Sequence, residues 1–171
     1  MLITDGSGRC DVRDTVHDTV DFVQVREPGL SARELADRVR TLTGLRVLVN
    51  DRADVAIACG AAGVHLRDGA VSPRVIRGIA PLGFVVTVAC HDAAAVFRAA
   101  DEGADYAVLA PVFAPLSKVS ALPPLGLDAL RAITVRAQIP VIALGGITAE
   151  NAPMCMDAGA AGIAGITLFR R

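Results

Sequence analysis

Eight short apolar runs punctuate the chain from end to end: residues 2–3, 22–25, 47–49, 63–66, 84–88, 106–109, 140–144 and 163–164. Between them lie segments with helical spacing. In the clearest, Ser31 and Glu34 stand at capping-box distance, and Leu35, Val39 and Leu42 follow on one helical face. Residues 92–102 and 127–137 behave the same way, each with an acidic residue near its start, where the helix dipole favours it. Strict strand–helix alternation requires crossovers, and therefore parallel strands. Eight repeats favour closure, so the expected fold is α/β, a compact (β/α)8 TIM barrel in one domain, 1–171. That fold usually runs to about 250 residues. This chain stops just past the eighth run, so the eighth helix is expected to be short or missing. A second copy of the chain is expected to cover the gap, as a homo-oligomer.

Composition fits that architecture and excludes others. The chain is 53% apolar but only 4% aromatic, with no Trp, as suits a sheet buried on both faces. Its 17 basic and 18 acidic residues nearly cancel. Neither charge nor base-stacking aromatics make a case for nucleic acid. No apolar run approaches membrane-spanning length, and polar residues from Thr4 onward argue against a secretory leader. A cytoplasmic protein is expected. Cys10, Cys59, Cys90 and Cys155 form no CxxC pair and read as small apolar residues, not as zinc ligands or disulfides.

Barrel enzymes keep their chemistry at the C-terminal ends of the strands. There, residues 139–147 end in Gly145 and Gly146, and residues 158–167 end in Ile166 and Thr167. Two glycine-rich strand ends joined by one short helix read as paired phosphate-gripping loops. Gln24 and Arg26 close the second strand on one side, and Arg suits a bidentate anion clamp. Asn50 and Asp51 close the third, where either could cap a helix; a magnesium role for Asp51 would need a second carboxylate. His65 reads as a hydrogen-bonded strand histidine. His91, just past the fifth strand, is the candidate acid–base group. The long segment 110–126 carries Ser117 and Lys118, candidate anion ligands.

Taken together, Gln24-Val-Arg-Glu27, Asn50-Asp51, Gly63-Val-His-Leu66, His91, Pro111-Val-Phe113, Ser117-Lys118 and Gly145-Gly-Ile147 resemble the thiamine phosphate synthase and thiazole tautomerase superfamily. The resemblance covers about residues 2–169. It implies that Gly145, Gly146, Ile166 and Thr167 hold a thiazole phosphate, and that Gln24, Arg26, Asn50, Ser117 and Lys118 bind substrate. In the synthases a Lys two residues after the Arg grips a pyrimidine diphosphate, and the Asn-Asp pair with a further Asp holds Mg2+. Here the Lys position is Pro28, the further Asp is Ala70, and a Ser near the fifth strand is Ala89.

These three departures remove charge and donors from the diphosphate half. The expectation is therefore the tautomerase: an isomerase of thiamin biosynthesis that acts on a carboxythiazole phosphate, with no metal or other cofactor and His91 as its acid–base residue. The alternative is the synthase, which couples hydroxymethylpyrimidine diphosphate to thiazole phosphate with Mg2+ at Asp51. A further alternative is a non-catalytic protein that keeps only the phosphate pocket.

Overall fold

The structure is a computed structural model that describes residues 1–6, 20–114 and 122–169. Eight strands run β1 Leu2–Ile3, β2 Val23–Val25, β3 Val47–Asn50, β4 Gly63–Leu66, β5 Val85–Cys90, β6 Tyr106–Leu109, β7 Val141–Ala143 and β8 Gly162–Ile163. They form one sheet in sequence order, and every neighbouring pair is parallel. Leu2 bridges Gly165, with Ile3 N donating to Gly165 O at 3.0 Å, so the last strand meets the first and the barrel closes.

Between the strands lie α1 Ala32–Thr41, α2 Ala53–Ala58, α3 Pro73–Arg77, α4 Ala93–Asp101, α5 Gly126–Thr134 and α6 Ala152–Asp157. The expected capping box holds: Ser31 accepts from Glu34 N while the Glu34 carboxylate accepts from Ser31 N. Leu35, Val39 and Leu42 are buried against the outside of the barrel, as their spacing predicts. Asp92 caps α4 by accepting from Ala95 N. Among the described residues no helix follows β8, and no helix is long and apolar enough to cross a membrane.

Alternation along each strand sorts the side chains. Val23, Val25, Val47, Val49, Val64 and Val86 face outward into the layer under the helices. Ile3, Phe22, Leu48, Val85, Val108, Ile142 and Ala164 point inward and fill the barrel. Phe22 stacks edge-on against Tyr106 toward the N-terminal end, with ring centroids 5.8 Å apart. Cys90 and Cys155 are buried and behave as the small apolar residues expected; burial pushes the Cys90 thiol up to about 12. Cys10 lies outside the described residues.

Above the apolar plug the inward positions turn polar: Gln24, Asn50, His65 and Thr87. Register places Asn50 beside His65 and His65 beside Thr87. This ring is the floor of the barrel mouth.

Candidate functional site

The mouth is a cavity of about 400 Å³, within the range of small-molecule sites. Gln24, Arg26, Asn50, His91, Gly145, Gly146, Ile166 and Thr167 all line it. Eight strand-end positions chosen along the chain thus converge on one space. Ser117 and Lys118 lie outside the described residues. His65 and Arg67, which had no assigned role, also line the cavity.

The floor is a directed hydrogen-bond chain. Asn50 Nδ2 donates to Asp51 Oδ2 at 3.2 Å, which leaves Asn50 Oδ1 to accept from Gln24 Nε2 at 2.8 Å. The Gln24 amide is therefore fixed as a donor toward Asn50. Its other end, Oε1, is buried without a partner. An unpaired acceptor in a buried amide is costly, and it suits an N–H or O–H donor from a ligand. It does not suit a diphosphate oxygen, which is itself an acceptor.

His65 Nδ1 lies 2.8 Å from Thr87 Oγ1, and burial pushes its imidazole down to about 4. It is a neutral part of the floor. His91 Nδ1 lies 2.7 Å from Ala110 O. A carbonyl can only accept, so Nδ1 carries the proton and a neutral His91 leaves Nε2 with a lone pair. His91 precedes the cap residue of α4, so it lies outside the helix itself.

The opposite wall is backbone. Gly145 and Gly146 have φ of 98° and 62°. A Cβ on Gly145 would lie 2.7 Å from Pro111 Cα, and one on Gly146 would run into Ala114 O. The glycines are therefore required by the segment after β6, which is tied down by Val112 N to Leu144 O and Phe113 N to Gly145 O. The space left by their missing side chains is filled by chain. Gly146, Ile166 and Thr167 line the cavity, and among the described residues their amides donate to no protein acceptor. Converging unpaired amides make an anion cradle.

Asp51 does not cap a helix. The cap position of α2 is Arg52, and its side chain makes no cap bond. Asp51 instead adopts φ 57°, uncommon for a residue other than glycine. Its Oδ1 accepts from Arg67 N at 2.9 Å, and its Oδ2 lies 3.6 Å from Arg67 Nε. Both carboxylate oxygens are thus engaged by the chain. Ala70 offers no oxygen ligand, and with Asp68 it lines an adjoining cavity of about 150 Å³ that shares Arg67 and Ala89 with the mouth. Among the described residues no group of three or more His, Cys, Asp or Glu could hold a metal ion. Mg2+ takes hard oxygen donors, and Asp51 with a guanidinium beside it does not fit that donor set.

Sequence reasoning missed Arg67. Its signal was available: it follows His65 by two residues, and alternation sends both to the same face.

The thiamine monophosphate synthase (TMP-TENI) family matches residues 7–169. A putative thiamine-phosphate synthase of Geobacter sulfurreducens is 43% identical over 151 residues, or 85% of this chain and 71% of that protein. A thiamine-phosphate synthase of Methanoculleus marisnigri is 44% identical over 153 residues, or 86% of this chain and 72% of that one. The solved thiamine phosphate pyrophosphorylase from Pyrococcus furiosus superposes with a TM-score of 0.84 at 31% identity, covering 97% of this chain and 84% of the other. FabK from Thermotoga maritima, with a TM-score of 0.75 at 18% identity, shares the fold.

These relatives overturn the expected tautomerase, and with it the isomerase class, since they are named as synthases. The expectation failed because it counted Pro28, Ala70 and Ala89 only as losses. The mouth keeps two cations, since Arg26 and Arg67 both line it.

Proposed function

The chain belongs to the thiamine monophosphate synthase family, and we propose that it is a transferase that couples hydroxymethylpyrimidine diphosphate to a thiazole phosphate. One observation carries the reading: a single cavity is lined by two kinds of anion-holding group, two guanidinium side chains and backbone amides that donate to no protein acceptor among the described residues. A one-phosphate substrate would use only one of them.

In the coupling, the bond between the pyrimidine methylene carbon and the diphosphate oxygen breaks, and the electron pair leaves with the diphosphate. A bond forms between that carbon and the thiazole ring nitrogen. Arg26 and Arg67 offset the charge that grows on the leaving group, the electrostatic contribution that dominates such steps. Gly145, Gly146, Ile166 and Thr167 hold the thiazole phosphate and aim the ring nitrogen at the methylene carbon. Gln24 Oε1 accepts a hydrogen bond from a donor on the pyrimidine. The thiazole nitrogen carries no proton to remove, so His91 positions a ring through Nε2 and takes no part in proton transfer. Ser117 and Lys118 keep the anion-binding role that the resemblance implies.

The test is to incubate the purified protein with both substrates and to follow thiamine phosphate and inorganic pyrophosphate. The expected result is equimolar formation of the two. Binding of both substrates with no product would refute the transferase reading.

Self-association belongs to the same proposal. Val75, Ile79 and Leu82 leave apolar surface exposed on and just after α3. Sedimentation at micromolar concentration is expected to show more than one copy, and a monomer would refute it.

A further inference from the structure

We propose that Arg67 takes over the charge-neutralising role of a metal ion at this mouth, so that the diphosphate group is bound without Mg2+. The inference rests on the diphosphate substrate proposed above, but it can be tested without any turnover.

Three observations converge. First, the carboxylate that would hold a cation is already occupied. Asp51 accepts from Arg67 N and from Asn50 Nδ2, and it has the Arg67 guanidinium 3.6 Å away. A divalent ion placed there would displace these partners and meet a positive charge. Second, among the described residues no carboxylate lines the mouth: Asp68, beyond Arg67 on the same loop, lines the adjoining cavity, which shares Arg67 with it. Third, Arg67 is held at its base and exposed at its tip. Its backbone is clamped to Asp51, yet its side chain is 77% exposed at the cavity edge.

A guanidinium in that position can turn from Asp51 to a phosphate and form two parallel charge-assisted hydrogen bonds. Arg26 lines the same cavity and supplies a second fork. Two forks offset two of the diphosphate's negative charges. Asp51 then acts as a positioning residue that aims the Arg67 backbone, and as a resting partner for the guanidinium.

The probe is inorganic pyrophosphate, titrated calorimetrically into the purified protein in EDTA and again in millimolar Mg2+. The wild-type chain is expected to bind pyrophosphate in EDTA. Added Mg2+ should leave the apparent affinity unchanged or weaken it, because the ion competes for free pyrophosphate. Arg67→Ala should weaken binding at least ten-fold, with partial recovery in Arg67→Lys. Arg40→Ala serves as the control: it removes the same charge from the outer face of α1, where Arg40 pairs with Asp37, and should bind as wild type. Binding seen only with Mg2+ would overturn the proposal, as would equal affinities for Arg67→Ala and Arg40→Ala. If Arg67→Ala does not fold, the comparison of EDTA with Mg2+ on the wild-type chain decides alone. Binding in EDTA through Arg67 without any coupling would sink the synthase reading and leave this one standing. Coupling with Mg2+-dependent binding would do the reverse.

Discussion

Acid should destabilise this protein through one residue, His65. The imidazole is 6% exposed and lies 2.8 Å from Thr87 Oγ1. Burial is the main cause that pushes it down to about 4; the Arg26 charge pushes the same way, and the Asp51 charge opposes both. An unfolded histidine titrates near 6.5. Between those values the unfolded chain binds a proton that the folded chain does not, so stability rises with pH across this window. The contribution is fully present above about pH 6.5 and is lost as pH falls toward 4. Linkage between the two values gives a loss of about 2 kcal/mol at pH 5. That is a large fraction of a typical ~5–15 kcal/mol folding stability. The measurement is urea unfolding at pH 7.5 and pH 5.0 for the wild-type chain and for His65→Gln, whose amide can still reach Thr87 but cannot charge in this range. Wild type should lose about 2 kcal/mol more than the variant over that interval. Equal losses would refute the assignment and move the acid sensitivity elsewhere.

One substitution tests the frame of the mouth and a second the opposite end of the barrel. Gly146→Ala forces a side chain into φ 62° and against Ala114 O; it should cost about 1–3 kcal/mol in thermal or urea unfolding and weaken inorganic phosphate binding, whereas wild-type values in both would show that the loop relaxes freely. Arg77→Ala removes the guanidinium that bonds Gly103 O, Phe84 O and the Asp105 carboxylate. Because it ties α3 to the starts of β5 and β6, its loss should cost about 1–3 kcal/mol in urea unfolding with little change in pyrophosphate affinity.

The barrel was legible because strands buried on both faces advertise themselves. Gly63-Val-His-Leu66 and Tyr106-Ala-Val-Leu109 are β4 and β6 with the ends expected of them. The misplacements fall where burial stops deciding. Phe22 reads as strand but precedes β2, and Ala164 reads as strand but follows β8. Both still pack inside the barrel. The site positions were legible for the same reason, since strand ends at known alternation reach one mouth. The conformation of Asp51 was not. Its left-handed φ and its grip on Arg67 depend on where β4 ends beside β3, a tertiary fact with no local signature. The crowding around Gly145 and Gly146 was illegible for the same reason, because the chain that crowds them comes from after β6.

The two halves of the mouth expose different amounts of themselves to a reading by residue type. The phosphate wall is made of amides, and any residue with the right backbone path supplies them; Ile166 and Thr167 bring N–H groups that many side chains could accompany. Substitution there leaves the chemistry intact and looks like conservation of function. The diphosphate wall is made of side chains, so each substitution looks like a loss. Pro28 and Ala70 subtract a cation and an anion that would have worked with a metal. Arg67 adds a cation without one, and Asp51 changes from a prospective ligand of an ion to the anchor of a guanidinium. Charge at a site acts as a sum over space. A position-by-position comparison registers the two deletions and passes over the compensating arginine, which belongs to the same surface only once β4 has been laid beside β3.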